Sequence, residues 1–279
     1  MRGMAEGQKP DGETTQFIKQ MDGVLLGWDE PAVRLREALD HDHFVLFAQP
    51  VRAMDGLTPG PIAFAEVLLR LREEEMQDES QALPPGDFLP AFRHYGMVTE
   101  LDRWVLRHAL DALGASRGLG RLSINVSGET LEDESFVPFA AGALRGAAVA
   151  PSALIIELDE NDAIDRRAAA ERFAREMKSI GCGLLIDGFA RRSVSFEVLE
   201  ALQADFVKVD GTLVRNLRRS AQATAKLRAV MRVGEATGMG VIAECVEDER
   251  VLASLQLLKP GYVQGFAIHR PAPLRELLN

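Results

Sequence analysis

The chain has 279 residues, of which 47% are hydrophobic and 27% are charged, and its formal net charge is -10 at pH 7. This composition is ordinary for a globular protein with a large core, and the negative charge argues against a protein that binds DNA nonspecifically. The length suits either one α/β barrel or two smaller domains.

The composition also indicates in which cellular compartment the protein is found. The sequence has no run of about 18 apolar residues, so we expect no membrane span. Residues 1–20 are polar and lack the apolar centre of a signal peptide. The two cysteines, Cys182 and Cys245, are far apart, and each lies beside a strand-like segment. This spacing favours free thiols over a disulfide and predicts a cytoplasmic protein.

The chain begins with a polar segment, and we expect residues 1–30 to form a flexible tail or linker. Residues 31–279 are predicted to form one barrel domain. Its first element is a helix from residue 31 to 39, because Pro31 suits the first turn of a helix. Strands over residues 44–51 and 62–69 then flank a turn and predict a hairpin at the entrance to the fold.

After an acidic, proline-containing loop over residues 71–85, strands and helices alternate. Helices are predicted over residues 87–95, 100–113, 166–180, 194–202, 221–237 and 249–258, and one more helix is predicted before the strand that ends at Glu157. Short apolar strands are predicted to end at Asn125, Glu157, Asp187, Lys208, Glu244 and Gln264.

This alternation predicts parallel βα units. About eight strands and eight helices point to a (β/α)8 barrel. A doubly wound open sheet is the alternative, and it is less favoured because no glycine-rich phosphate loop follows an early strand.

Each short apolar run ends on a polar residue. In a barrel of parallel strands the carboxyl ends open on one face, where their side chains converge. The residues at these ends include three carboxylates and one amide, which are hard oxygen ligands suited to Mg²⁺ or Mn²⁺. The candidate metal ligands are Glu66, Asn125, Glu157 and Asp187. Alternatively, each could merely cap the helix that follows it.

Two further strand ends carry Lys208 and Glu244. Lys208 could polarise a water or hold a phosphate, and Glu244 could accept a proton. The two could equally form a simple ion pair. On these residues alone an enolase-like enzyme stays open. A Schiff-base lysine also stays open, although the surrounding carboxylates oppose the lowered amine pKa that it requires.

A series of short motifs in a fixed order covers nearly the whole chain from Phe44 to Pro273. The motifs are Gln49-Pro50, Glu66-Val67-Leu68-Leu69-Arg70, Ser123-Ile124-Asn125-Val126-Ser127, Glu157-Leu158-Asp159-Glu160, Lys208-Val209-Asp210, Ala243-Glu244-Cys245-Val246-Glu247 and Val263-Gln264-Gly265. Together they resemble the EAL domain family, which contains cyclic di-GMP phosphodiesterases and degenerate members that act as cyclic di-GMP receptors.

The resemblance implies a modified TIM (β/α)8 barrel with one antiparallel strand near the start. It implies that the four candidate ligands hold a first Mg²⁺ or Mn²⁺ ion, that Lys208 and Glu244 activate a water, and that the ring of cyclic di-GMP opens to linear pGpG. The residues expected to contact the nucleotide are Gln49, Arg70 and Gln264. Glu160 is expected to support the loop after the strand that carries Asp187.

The departures from the family pattern fall in that loop. Active members read Asp-Asp-Phe-Gly-Thr-Gly where this chain reads Asp187-Gly188-Phe189-Ala190-Arg191-Arg192. Gly188 therefore stands in place of an aspartate that binds a second metal ion in the family. Arg191 or Arg192 could supply positive charge to a phosphate instead. Alternatively, both arginines face solvent.

These observations predict an EAL domain that binds cyclic di-GMP and hydrolyses it weakly or not at all. A fully competent phosphodiesterase and a nucleotide-independent interaction module are the alternatives. A homodimer and a protein effector are open as partners, since the altered loop takes part in dimer contacts in the family.

Overall fold

The computed structural model describes residues 30–55, 58–72, 81–116, 118–191 and 196–278. The chain divides into two compact units, Met1–Val45 with Arg70–Met97 and Leu46–Leu69 with Val98–Asn279. Residues 1–29 of the predicted tail lie outside the described residues, so the domain boundary near residue 31 stays a prediction.

The described residues of the first unit include two helices, α1 (Pro31–Asp40) and α2 (Pro85–His94). Phe44 packs against α2, with its ring centroid 5.8 Å from that of Phe88 and 5.9 Å from that of Phe92. Leu71 and Leu83 pair as a short antiparallel bridge. The predicted acidic loop is therefore joined at its two ends, while residues 73–80 lie outside the described part.

The second unit contains the sheet and the remaining helices. Most of the two long strands, β1 (Phe44–Asp55) and β2 (Thr58–Leu71), belongs to this unit. The strands that follow are β3 (Leu122–Val126), β4 (Leu154–Asp159), β5 (Gly183–Phe189), β6 (Phe206–Val209), β7 (Gly240–Ala243), β8 (Tyr262–Val263) and β9 (Ala272–Pro273).

Helices connect these strands along the chain. They are α3 (Val98–Ala115), α4 (Gly128–Leu131), α5 (Phe136–Gly146), α6 (Glu160–Asp165), α7 (Arg167–Ser179), α8 (Glu197–Leu202), α9 (Gly211–Arg215), α10 (Ala221–Thr237), α11 (Glu249–Leu258) and α12 (Leu274–Leu277). A 3₁₀ turn, Pro151–Ala153, leads into β4.

The nine strands form one sheet in the order β2-β3-β4-β5-β6-β7-β8-β1-β9, and β1 also pairs with β2. This second pairing closes the sheet into a barrel. Neighbouring strands run parallel from β2 to β8, whereas β1 runs antiparallel to β8. The predicted barrel with one antiparallel strand near its start is therefore confirmed, and β9 is an added strand outside it.

The barrel interior is arranged in layers because alternate residues of a strand face the same side. A buried apolar layer contains Val51, Phe64, Ile155, Leu185, Phe206 and Ile242. On five strands, a polar residue predicted for the site stands two positions after the residue that belongs to this apolar layer. These residues are Glu66, Glu157, Asp187, Lys208 and Glu244. The apolar layer thus closes the barrel beneath the polar side chains.

Some elements differ from their predicted bounds. The predicted helix over residues 166–180 is α7, and it is preceded by the unpredicted α6. The short helices α4 and α9 were not predicted either. Each has fewer than six residues, so it contains too little of the 3.6-residue period to stand out in sequence.

No helix in the described ranges is both long and apolar enough to cross a membrane. Cys182 and Cys245 are both free thiols, as the sequence predicted. The cytoplasmic location stays a prediction.

Candidate functional site at the carboxyl ends of the strands

Lys208 lies at the centre of a buried group of acids. Its Nζ donates to Glu157 Oε2 at 2.6 Å and to Glu66 Oε2 at 2.9 Å, and it lies 3.8 Å from Asp187 Oδ1. The Lys208 side chain is only 2% exposed. We call Lys208 with these three acids the inner group.

Glu66 is the most fully hydrogen-bonded acid of the inner group. Asn125 Nδ2 donates to its Oε1 at 3.0 Å, and Gln264 Nε2 donates to its Oε2 at 2.8 Å. The structure therefore brings together residues from β2, β3, β6 and the end of β8. All four predicted metal ligands lie in or beside this group.

Burial and nearby charges shift the pKa values of Glu66 and Glu157 in opposite directions. Burial alone would raise the pKa of Glu66, but the charge of Lys208 and the donated hydrogen bonds hold it below its ordinary value. Burial and the nearby charge of Glu66 raise the pKa of Glu157 to about 8, despite the attraction of Lys208. Lys208 thus stabilises one carboxylate firmly and leaves the deeper one with a strong affinity for a proton.

The same two causes act on the other members of the inner group. Burial raises the pKa of Asp187. Burial would lower the pKa of Lys208, but the charges of Asp187, Glu157 and Glu66 outweigh it and raise that pKa well above its ordinary value. The lysine therefore carries a positive charge, which opposes the Schiff-base alternative because that chemistry needs a lowered amine pKa.

Two carboxylate oxygens in the inner group have no hydrogen-bond partner. Glu157 Oε1 and Asp187 Oδ1 are both buried and accept no hydrogen bond, although Asp187 Oδ1 lies 3.8 Å from Lys208 Nζ. An unsatisfied buried oxygen is unfavourable unless a proton or a cation meets it. These oxygens, with the amide oxygen of Asn125, are hard donors of the kind that Mg²⁺ and Mn²⁺ prefer, so the residues present fit such an ion.

The carboxylates are nevertheless not arranged around an ion. Within the described ranges, no three His, Cys, Asp or Glu side chains are grouped as a metal site. The reason is visible in the distances, since Glu66 and Glu157 both reach toward the Lys208 ammonium group. The donor chemistry and the two oxygens without a hydrogen bond still fit a divalent ion, because carboxylates that share a lysine can turn toward a cation of higher charge.

Glu244 does not form the ion pair with Lys208 that was one alternative. Its Oε1 accepts a hydrogen bond of 2.7 Å from the backbone N–H of Gly211, the first residue of α9. Burial raises the pKa of Glu244 to about 7, and the charge of Asp187 adds to this effect. A carboxylate with a pKa close to neutral pH is suited to accepting a proton.

The loop after β5 places Arg191 between two aspartates. Its Nε donates to Asp210 Oδ2 at 2.8 Å, and its Nη1 lies 3.5 Å from Asp159 Oδ2. The Arg191 side chain is 45% exposed, whereas that of Asp210 is 9% exposed. We call Asp159 and Asp210 the outer pair. Arg191 therefore neither points freely into solvent nor extends alone toward the barrel mouth.

Gly188 makes room for this arginine. Its φ is 68°, and a Cβ atom built there would lie 2.5 Å from Arg191 Nη2. Ala190 also has a left-handed φ, 67°, and the backbone N–H of Arg191 donates to the carbonyl of Gly188. This tight turn brings the guanidinium group back over residue 188.

The alternative that the strand-end acids cap the following helices is wrong for these strands. Capping falls to residues two positions later, where the side chains of Ser127, Asp159 and Asp210 accept from the first turns of α4, α6 and α9. Residues two apart on a strand share a face, so the capping residues form a layer beyond the site residues.

The sequence reasoning quoted Asp159 and Asp210 only as parts of motifs and assigned them no role. The signal available for both was their position, two residues after Glu157 and Lys208 and so on the same side of the strand. Asp102 was also missed. It is a buried acid on α3 whose Oδ2 accepts from Ser127 Oγ at 2.6 Å and from Thr130 Oγ1 at 2.7 Å. It anchors the loop that follows Asn125.

The other predicted residues are placed as follows. Gln49 Nε2 donates to the carbonyl of His269 at 2.8 Å. Glu160 accepts a hydrogen bond from the backbone of Ala190, and burial raises the pKa of Glu160 to about 7. Arg70 belongs to the first unit, and Arg192 lies outside the described residues. The roles predicted for all four stay predictions.

A cavity of about 1900 Å³ opens at the other end of the barrel. Its lining includes Phe206 and Gly240, which begin β6 and β7, and Arg121, which precedes β3. The inner group lies at the opposite ends of these strands. We place the candidate site with the inner group, because functional residues of such barrels lie at the carboxyl ends of the strands.

Comparison with known proteins gives a direct answer about the family. Residues 32–271 match the EAL domain. The chain belongs to the EAL domain family.

Among curated relatives of this EAL domain, cyclic di-GMP phosphodiesterase PdeF of Escherichia coli K12 is 29% identical over 249 residues, which cover 88% of this chain and 32% of the relative. Cyclic di-GMP phosphodiesterase PdeB of Shewanella oneidensis is 30% identical over 246 residues, which cover 87% of this chain and 28% of the relative. The chain thus spans about a third of the length of these relatives.

Solved EAL structures share the fold. The PaMucR phosphodiesterase in complex with c-di-GMP superposes with a TM-score of 0.80 at 26% identity, covering 90% of this chain and 100% of that one. The FimX EAL domain of Pseudomonas aeruginosa bound to c-di-GMP superposes with a TM-score of 0.75 at 26% identity, covering 88% of this chain and 97% of that one.

Proposed function

We propose that this EAL domain binds cyclic di-GMP and that its metal-dependent hydrolysis of the nucleotide to linear pGpG is weak or absent. Binding is supported by the two related structures that hold c-di-GMP and by the relatives named as phosphodiesterases. The observation that carries the weak-hydrolysis part is Gly188, which offers no side-chain ligand and lies under the guanidinium group of Arg191.

The residues proposed to hold the first Mg²⁺ or Mn²⁺ ion are Glu66, Asn125, Glu157 and Asp187. Such an ion would neutralise phosphate charge and lower the pKa of a bound water. The unpaired oxygens of Glu157 and Asp187 support this assignment. The high pKa of Glu157 means that a metal ion must displace a proton to bind there.

The remaining residues are proposed to bind the nucleotide and move protons. Glu244, with its pKa of about 7, accepts a proton from the attacking water. Lys208 holds its positive charge beside the reacting phosphate. Gln49, Gln264 and Arg70 contact the nucleotide. Arg191 and Arg192 add positive charge where the anionic ligand approaches.

A two-step experiment tests this function. Titration calorimetry with cyclic di-GMP and Ca²⁺ is expected to show binding, because Ca²⁺ also takes oxygen ligands. Chromatography after adding Mg²⁺ or Mn²⁺ is expected to show slow formation of linear product or none. Glu157→Gln is the control variant, and it should abolish any metal-dependent product that the chain itself forms.

A fully competent phosphodiesterase is the second candidate, favoured by the presence of Glu66, Lys208 and Glu244 in one cluster. Rapid conversion to linear product in the same experiment would establish it and refute weak hydrolysis. Absence of nucleotide binding with either metal would refute both candidates and leave an interaction module.

A further inference from the structure

The polar end of the barrel contains two sets of acids, and the chain supplies a cation to each. Lys208 lies among the acids of the inner group. Arg191 lies between Asp159 and Asp210 of the outer pair. Asp187 adjoins both sets, since it faces Lys208 at 3.8 Å and its charge also acts on Arg191. Acids crowded in this way repel one another unless a cation lies between them.

Each carboxylate oxygen of the outer pair already has a partner in the folded chain. Asp159 Oδ1 accepts from the backbone N–H of Asn161 at 2.8 Å, while its Oδ2 faces Arg191. Asp210 Oδ1 accepts from the backbone N–H of Thr212 at 3.0 Å, while its Oδ2 accepts from Arg191 Nε. In each aspartate one oxygen caps a helix and the other contacts the guanidinium group.

The space beside residue 188 is also taken. A Cβ atom at Gly188 would lie 2.5 Å from Arg191 Nη2 and 3.4 Å from Asp159 Oδ2. A side chain added at this position must therefore push the end of the Arg191 side chain aside. A divalent ion here would meet the positive guanidinium group at close range. The residues present do not fit a second metal ion.

We propose that Arg191 is a built-in cation of the outer pair, and that this EAL domain therefore binds a single divalent ion, at the inner group. Gly188, Asp159 and Arg191 act as one linked unit. The absence of a side chain at Gly188 leaves space there, and the guanidinium group of Arg191 fills that space with positive charge. Asp159 and Asp210 each contact this guanidinium group. The inference rests on the proposed function only for the presence of the first ion.

The linkage makes an asymmetric prediction about substitutions. Gly188→Asp alone adds a carboxylate beside the guanidinium group, and the two should pair, so no second ion binds. Arg191→Thr removes the cation and frees Oδ2 of both aspartates. The double variant Gly188→Asp/Arg191→Thr joins a free outer pair with a new carboxylate, and it should bind a second ion more tightly than Arg191→Thr does.

The test is the number of Mn²⁺ ions bound per chain, measured by electron paramagnetic resonance titration without nucleotide. We expect one ion for the unmodified chain, for Gly188→Asp and for Arg191→Lys, which keeps the charge. We expect two for Gly188→Asp/Arg191→Thr. Arg167→Thr is the matched control, because it removes an exposed arginine paired with Glu171 on α7 and should leave the count unchanged.

The outcomes separate this inference from the proposed function. Two ions on the unmodified chain, or no gain in the double variant, would overturn the inference. If the double variant does not fold, Arg191→Thr decides alone, because a second and weaker ion must then appear. If the unmodified chain binds no Mn²⁺ but the Arg191→Thr variants gain an ion, the proposed inner metal site fails and the role of Arg191 stands.

Discussion

In both the inner group and the outer pair, a cation of the chain offsets the repulsion between neighbouring carboxylates, but the two clusters differ in their exposure to water. Lys208 is 2% exposed and shares its charge between two nearly buried glutamates. Arg191 is 45% exposed and contacts Asp159, which is 35% exposed. Charge attraction is strong where water is excluded and weak where water competes. Removing the cation should therefore unbalance the inner group far more than the outer pair.

The two cations also differ in what can replace them. The inner group keeps two buried carboxylate oxygens that accept no hydrogen bond, so a divalent ion or protons can take over part of the role of Lys208. The outer pair uses all its oxygens in caps and in contacts with Arg191. The inner group can therefore accept another cation, whereas the outer pair is already occupied by Arg191.

The largest effect is expected from Lys208→Met. This change leaves Glu66 and Glu157 buried without their cation, and removing one partner of a buried ion pair lowers the free energy of unfolding by about 3–5 kcal/mol. Urea denaturation at pH 8 measures it. Mn²⁺ should restore part of the loss.

Lys178→Met is the matched control, because Lys178 pairs with the partly exposed Asp205 in the same unit. This change should cost about 1 kcal/mol or less. Equal losses in the free energy of unfolding for Lys178→Met and Lys208→Met would show that the inner group contributes no more to stability than a partly exposed ion pair.

The next expected effect is a dependence of stability on pH. In the metal-free protein the pKa of Glu157 is raised to about 8 and that of Glu244 to about 7, each by burial. The folded chain then binds more protons than the unfolded chain between about pH 4.5 and these values, so the free energy of unfolding falls as pH rises through this window.

Glu66, with its lowered pKa, acts in the opposite direction but only below about pH 4.5. Denaturation midpoints measured from pH 5 to 9 check the sign. Glu157→Gln should flatten the profile, and saturating Mg²⁺ should do the same, because bound metal replaces the protons. A stability that rises with pH in this window would contradict the assignment.

A smaller effect is expected from Gly188→Ala. A left-handed φ costs a non-glycine residue about 1–2 kcal/mol, and here the added Cβ must also displace the guanidinium group of Arg191. Gly96→Ala is the control, since Gly96 has φ 67° with open space around its Cβ position.

Thermal denaturation should therefore show a larger loss at Gly188 than at Gly96. The difference between the two sites should shrink when Arg191 is replaced by alanine in the same chain. A difference that persists without the arginine would mean that Arg191 does not fill this space.

The smallest effect is expected from Arg191→Met. Because the Arg191 side chain is 45% exposed, water screens its contacts with Asp159 and with the nearly buried Asp210, and the free energy of unfolding should fall by only about 0.2–1 kcal/mol. Urea denaturation beside Lys208→Met compares the two cations directly. If Arg191→Met lowered the free energy of unfolding as much as Lys208→Met, the inner group and the outer pair would not differ in their dependence on their cations.

Much of this architecture could be predicted from the sequence, because it depends on short-range patterns. Apolar residues at alternate positions predict strands whose core residues precede the site residues by two positions, as Phe206 precedes Lys208. The order of these strands and their motifs indicated the barrel, its antiparallel first strand and the EAL family. The short helices α4, α6 and α9 were missed because they are too brief to show a period.

Only the tertiary structure decided which charges meet. Lys208 is separated from Glu157 by 51 positions and from Glu66 by 142, and their contact depends on the closure of the barrel. The position of Arg191 likewise depends on a left-handed turn and on two aspartates at the ends of the strands on either side of β5. Sequence identifies the residues at each strand end, but the pairing of their charges requires the distances that folding creates.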